Sequence, residues 1–210
     1  MSEVWIPAGG VSLPGRLTLP PSTNSVVLFA HGRGSGRESP RNRQVAEALR
    51  RAGVGTVLFD LLTKEETGEY RKHVFDINLL ARRLEHATRW VRSFPDTSSL
   101  RLGYFGASTG AAAALIADAA GAHQVRAIVS RGGRPDLAGD VLEHVRAPTL
   151  LIVGGDDLVL EINQAAADRL RCTNRITVIS GASHLFEEPG AMKEVVRLTV
   201  DWFSTYLLGE

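Results

Sequence analysis

A single cysteine, Cys172, stands among 210 residues, which excludes an internal disulfide and any cysteine-rich zinc site. Charge of one sign is scarcely in excess: 24 basic against 23 acidic residues give a formal charge of +1. No global field therefore draws the chain to nucleic acid or to an acidic membrane. No apolar run approaches a membrane-spanning length, and Asp118 interrupts even the alanine-rich stretch after Gly110. The opening MSEVWIPAGG has neither the basic stretch nor the apolar run of a secretory signal. Internal repeats, low-complexity tracts and long linkers are missing too. These absences lead us to expect a soluble cytoplasmic protein whose partner is a small molecule, with the oligomeric state left open.

Hydrophobic residues make up 44% and charged residues 22%, an ordinary globular balance, and the length fits one domain over residues 1–210. Short β-rich runs alternate with longer amphipathic segments. Val11 to Leu19 suits an early edge strand paired with Val4 to Pro7. VVLFA (Val26 to Ala30) has the unbroken apolar character of a strand covered on both faces. Ser39 and Pro40 mark the start of a helix running to Arg51, as N-cap and first helical residue. Further strands are expected at Thr56 to Leu61, Leu100 to Phe105, Val125 to Ser130, Thr149 to Val153 and Arg175 to Ile179. Helices are expected from about His73 to Phe94, Thr109 to Ala120, Glu161 to Arg171 and Met192 to Leu208. The alternation implies an α/β fold, a mostly parallel sheet with helices on both faces. Chemistry is then expected on loops at the carboxyl ends of strands.

Gly106-Ala107-Ser108-Thr109-Gly110 matches G-x-S-x-G, directly after one expected strand and before a helix. Such a turn holds a serine at a strained, exposed apex, and glycines on either side remove side chains that would clash across it. His184, in SGASHLFEE just past the last expected strand, is the candidate base, and the order serine, acid, histidine requires an acid before it. The loop after the penultimate strand reads LLIVGGDDLVL, so Asp156 and Asp157 compete. Asp157 lies further from the strand and has more freedom to reach the imidazole, though spacing alone leaves both open, and either could cap the next helix. For an oxyanion, the amide of Thr109 is one candidate donor and that of Arg33, in His31-Gly32-Arg33-Gly34-Ser35-Gly36, the other. His31 is expected to fix this loop by hydrogen bonds. The same loop fails the dinucleotide fingerprint, because Arg37 occupies the third glycine position, and it lacks the lysine of a P-loop.

With these residues in place, the chain resembles the dienelactone hydrolase family of the α/β-hydrolases, in a bacterial subgroup with a serine nucleophile. The likeness runs through FAHGRGSGRESPRNRQVAEAL, YFGASTG, VSRGGRPDLA, LLIVGGDD and SGASHLFEEPG. It implies a single-domain α/β-hydrolase fold and a Ser108–Asp157–His184 triad, with Asp157 favoured over Asp156. Two departures stand out. The family's namesakes use a cysteine where this elbow carries Ser108, and the acid loop reads Asp157-Leu158-Val159 in place of Asp-x-Pro-Val.

The expected reaction is hydrolysis of a small ester or lactone through an acyl-enzyme, with no metal and no organic cofactor. No insertion longer than a loop separates the expected elements, so no large lid is expected. Arg41, Arg131 and Arg134 are candidates to bind an anionic substrate, since planar guanidinium groups suit carboxylate or phosphate; equally, they could pair with nearby acids as structural bridges. Rival readings are a thioesterase, amidase or acyltransferase on the same triad, a non-catalytic small-molecule binder on the hydrolase fold, and a nucleotide-dependent oxidoreductase.

Overall fold

Two consecutive glycines organise the amino-terminal edge of the sheet. Gly9 and Gly10 both take positive φ (62° and 90°), the demand of a two-residue hairpin turn, and Ala8 faces Val11 across it. The hairpin joins β1 (Ser2–Ala8) to β2 (Val11–Thr18). β1 is the edge strand; β2, expected at the edge, lies inside it and pairs antiparallel with β4 (Gly55–Phe59) as well.

The computed structural model describes residues 2–32, 34–68, 73 and 75–209. Its eight strands lie in the order β1-β2-β4-β3-β5-β6-β7-β8, where β3 is Ser25–Ala30, β5 Arg101–Ala107, β6 Val125–Arg131, β7 Thr149–Gly154 and β8 Asn174–Ile179. From β4 to β8 every pairing is parallel. β3, β4 and β7 are buried along their whole length, as strands covered on both faces must be. Alternation then divides each strand between two cores: Val26, Leu28 and Ala30 face one, Val27 and Phe29 the other.

The first core is closed by α3 (Ile77–Arg92) and α5 (Thr109–Ala119), the second by α1 (Pro40–Arg51) and α7 (Ala191–Phe203). Ser39 caps α1 by accepting from the Asn42 amide at 3.5 Å, with Pro40 in the first turn as the sequence implies. α3 begins later than the sequence indicates, at the residue after its cap Asp76, because that carboxylate accepts from the Leu79 amide. The chain turns after Arg92, and Pro95 opens the short α4 (Pro95–Ser98). The described residues also include α2 (Lys64–Gly68), α6 (Leu160–Arg169) and a 3-10 segment at Pro135–His144, and α7 passes into a π-turn at Ser204–Leu208. No helix among the described residues is long and apolar enough to cross a membrane.

Phe203 shows how tightly α7 docks. It is fully buried, and a β-carbon on Gly103 of β5 would stand 2.8 Å from its ring. Phe203→Ala should cost about 3–5 kcal/mol and lower Tm by roughly 6–20 °C, read by thermal unfolding; an unchanged Tm would show that α7 contributes little to the core.

Candidate active site

The strands of the parallel region carry their carboxyl ends to one edge, and the candidate residues gather there. β5 runs directly into α5 with only Ser108 between them, at φ 52° and ψ −122°. This is a backbone conformation that non-glycine residues rarely hold. The two glycines of the motif make it feasible. A β-carbon on Gly110 would lie 2.0 Å from the Ala30 carbonyl oxygen, and one on Gly106 would lie 2.5 Å from Ala111 Cα. Any larger residue would force β3 and β5 away from the first turn of α5. Thr109 is the first residue of α5, so its amide is among those without an intrahelical acceptor.

Asp157 and His184 meet across the loops after β7 and β8. His184 Nδ1 and Asp157 Oδ2 are 2.8 Å apart. Asp157 is buried, and its second carboxylate oxygen accepts from the Val159 amide at 3.2 Å. Asp156 is exposed, and its amide donates to the Ala182 carbonyl. The side chain that reaches the imidazole is therefore Asp157. A buried carboxylate on Nδ1 selects the tautomer that presents Nε2 as a base.

The loop after β6, Gly132-Gly133-Arg134, serves both partners. The Ser108 amide donates to the Arg131 carbonyl at 3.3 Å, and the Arg134 amide donates to the Ser108 carbonyl at 3.1 Å. Gly132, at φ 50°, lies against the histidine: a β-carbon there would come within 3.3 Å of His184 Nδ1 and Cε1 and 3.2 Å of its carbonyl. The sequence marks this loop only by its glycine pair, which does not disclose that it holds the elbow backbone and the imidazole together. Gly132→Ala should lower kcat by about 10- to 100-fold through displacement of the ring. The left-handed backbone should also cost about 1–2 kcal/mol. Ester-hydrolysis kinetics beside a melting curve would check both, and a kcat equal to wild type would remove Gly132 from the positioning of His184.

Ser108, His184, Arg131 and Arg41 line one cavity of about 550 Å³, together with Gly32, Gly34, Ser35 and Leu185. Gly32 passes so close to the serine that a β-carbon on it would stand 2.7 Å from Ser108 Cβ. Arg33, the second expected oxyanion donor, lies outside the described residues. His31 serves its loop: its Nε2 accepts from the Leu61 amide at 2.8 Å, which leaves Nδ1–H to donate to the Gly32 carbonyl at 3.0 Å. Burial holds the His31 pKa below its ordinary value, consistent with a neutral ring.

The three candidate arginines part company. Arg134 is held in a two-pronged pair by Asp136 at 2.8 and 2.7 Å and does not line the cavity, so for it the structural-bridge reading holds. Arg41 lines the cavity and reaches Glu187 at 3.2 Å. Arg131 lines it from a buried position, where burial and the charge of Arg41 lower its pKa to about 10. Among the described residues no cluster of histidine, cysteine or acidic side chains could hold a metal ion.

Comparison with known proteins agrees with this fold. The α/β-hydrolase domain model matches residues 23–195. A crystal structure of a dienelactone hydrolase from Anabaena variabilis is 53% identical with a TM-score of 0.95, covering 98% of this chain and 97% of that one. Est1E from Butyrivibrio proteoclasticus, 12% identical with a TM-score of 0.84 over 99% of this chain and all of that one (100%), shares the fold. Proteins from two strains of Mycobacterium tuberculosis, both provisionally named phosphoribosyl transferases, are 57% identical over 208 residues, or 99% of this chain. This chain spans 47% of their length. From the matched domain and the full-length likeness, the chain belongs to the dienelactone hydrolase family of α/β-hydrolases.

Proposed function

We propose that this chain is a serine hydrolase that cleaves small carboxylic esters or lactones through an acyl-enzyme. The observation that carries the reading is the Asp157–His184 hydrogen bond at 2.8 Å, on an imidazole that lines the same cavity as Ser108 at its strained elbow. His184 Nε2 takes the Ser108 hydroxyl proton as Oγ attacks the carbonyl carbon, and the carbonyl electrons move onto the oxygen. The Thr109 amide donates to that oxyanion, with the Arg33 amide as the second proposed donor. Collapse of the intermediate expels the alcohol, which receives the proton from His184. Water, deprotonated by the same imidazole, then attacks the acyl-serine and releases the acid. The chemistry balances with water as the sole co-reactant. The phosphoribosyl transferase name of the mycobacterial relatives belongs to chains of which this one spans 47%, and the triad reading assigns this chain no phosphoribosyl transfer.

The test is covalent. A fluorophosphonate probe should phosphonylate wild-type protein at Ser108, located by peptide mass spectrometry, and should leave Ser108→Ala unlabelled. His184→Ala should label at least about tenfold more slowly. Labelling at some other residue, or none under conditions that label an ordinary serine esterase, would overturn the proposal.

A further inference from the structure

Two arginines among the described residues are buried, Arg83 and Arg131. Arg83 pairs with Glu66 and donates to the Ala8 carbonyl. Arg131 differs. It is 7% exposed at the end of β6, lines the cavity that holds Ser108, and makes no ion pair among the described residues. Its Nε and Nη1 are buried with no hydrogen-bond partner among those residues. A buried cation left this way is costly to the fold unless something else completes it.

Arg41 lines the same cavity; its Nη1 reaches the exposed Glu187 at 3.2 Å, while its Nε is buried and unpartnered. It stands in the first turn of α1, where no acid occurs and a second cation, Arg43, is two residues on. Cations at this end oppose the helix dipole, which favours an anion there. Among the described lining residues the one acid is Glu38, and Arg16, Arg37 and Arg43 already engage it. Ser35 and Ser39 add hydroxyl groups at the same wall. The unused donors therefore include two Nε–H groups and Nη1, spread over two guanidinium groups. A phosphate monoester offers three peripheral oxygens and up to two charges.

We propose, resting on the hydrolase reading, that Arg131 and Arg41 form a subsite for a phosphate group carried by the substrate, which makes the substrate a small phosphorylated ester or lactone. The volume of about 550 Å³ accommodates such a molecule with its carbonyl at Ser108. Even with its pKa lowered to about 10 by burial and the charge of Arg41, Arg131 stays protonated at neutral pH and brings its charge to the subsite.

Inorganic phosphate is the probe. Titration calorimetry of the full chain at low ionic strength should show phosphate binding, with acetate at least about tenfold weaker. Arg131→Gln and Arg41→Gln should each weaken phosphate by about tenfold or more. Arg126→Gln, an exposed cation near the amino ends of the strands, should bind like wild type. Phosphate should also raise KM for 4-nitrophenyl acetate without changing kcat. Acetate binding as tight as phosphate, phosphate binding insensitive to both cavity variants, or no phosphate binding would each overturn the subsite. Should Arg131→Gln fail to fold, Arg41→Gln, on a half-exposed side chain, decides the matter. Fluorophosphonate labelling separates the two proposals. Ser108 labelled without phosphate binding keeps the hydrolase and removes the subsite. Phosphate bound without labelling removes the hydrolase and with it the substrate role of the phosphate.

Discussion

Replacing Ser108 by alanine should lower kcat for a small activated ester by roughly 10⁴- to 10⁶-fold, and adding His184→Ala to that variant should cost nothing more. The two side chains act as one unit: the imidazole matters because it removes the serine proton, and without the hydroxyl it has nothing to deprotonate. Residual turnover over water would come from the Thr109 amide and from binding, which neither substitution touches. Ser108→Ala should also fold at least as well as wild type. Ser108 holds φ 52° for the sake of its position, and alanine fills the same space without burying a polar group. Steady-state kinetics on the two single variants and the double variant, with thermal unfolding beside them, decide the point. A double variant at least ten times slower than either single variant would mean that Ser108 and His184 act independently, and the acyl-enzyme scheme would fall.

Much of this architecture is legible in the residues because local chemistry and global fold agree there. Ser39 and Pro40 fix the start of α1, the unbroken apolar run of β3 declares a doubly covered strand, and Gly106 and Gly110 bracket an elbow where any β-carbon would strike backbone. What pattern conveys less well is pairing at a distance. β2 reads as an edge because its alternation is loose, yet β4 crosses back to pair with it and leaves β1 outside. Arg134 and Arg131 look alike in SRGGRPD. Arg134 finds Asp136 two residues on, whereas Arg131 ends a buried strand and finds no acid among the described residues, a difference set by tertiary packing. The grip of the Gly132 loop on Ser108 and His184 is likewise invisible, because backbone hydrogen bonds across strand ends leave no mark on residue identity.

The adjacent carboxylates give the sharpest contrast between position in sequence and position in space. Asp157→Asn should lower kcat by about 10⁴-fold, whereas Asp156→Asn should stay within about twofold of wild type. Asparagine at 157 keeps an oxygen for the Val159 amide, which holds the loop at 3.2 Å, so the fold should survive. It loses the charge that stabilises the imidazolium. It can also present N–H to His184, which drives the ring to the tautomer whose Nε2 carries the proton and cannot act as a base. Asp156 is exposed and joins the neighbouring loop through its backbone amide, which the substitution leaves in place. Kinetics of both variants on one ester, with melting curves to confirm folding, separate the two. Equal losses would mean that the loop matters as a whole. A larger loss at 156 would transfer the orienting role to the exposed carboxylate, and the 2.8 Å contact between Asp157 and His184 would then be packing without a part in the chemistry.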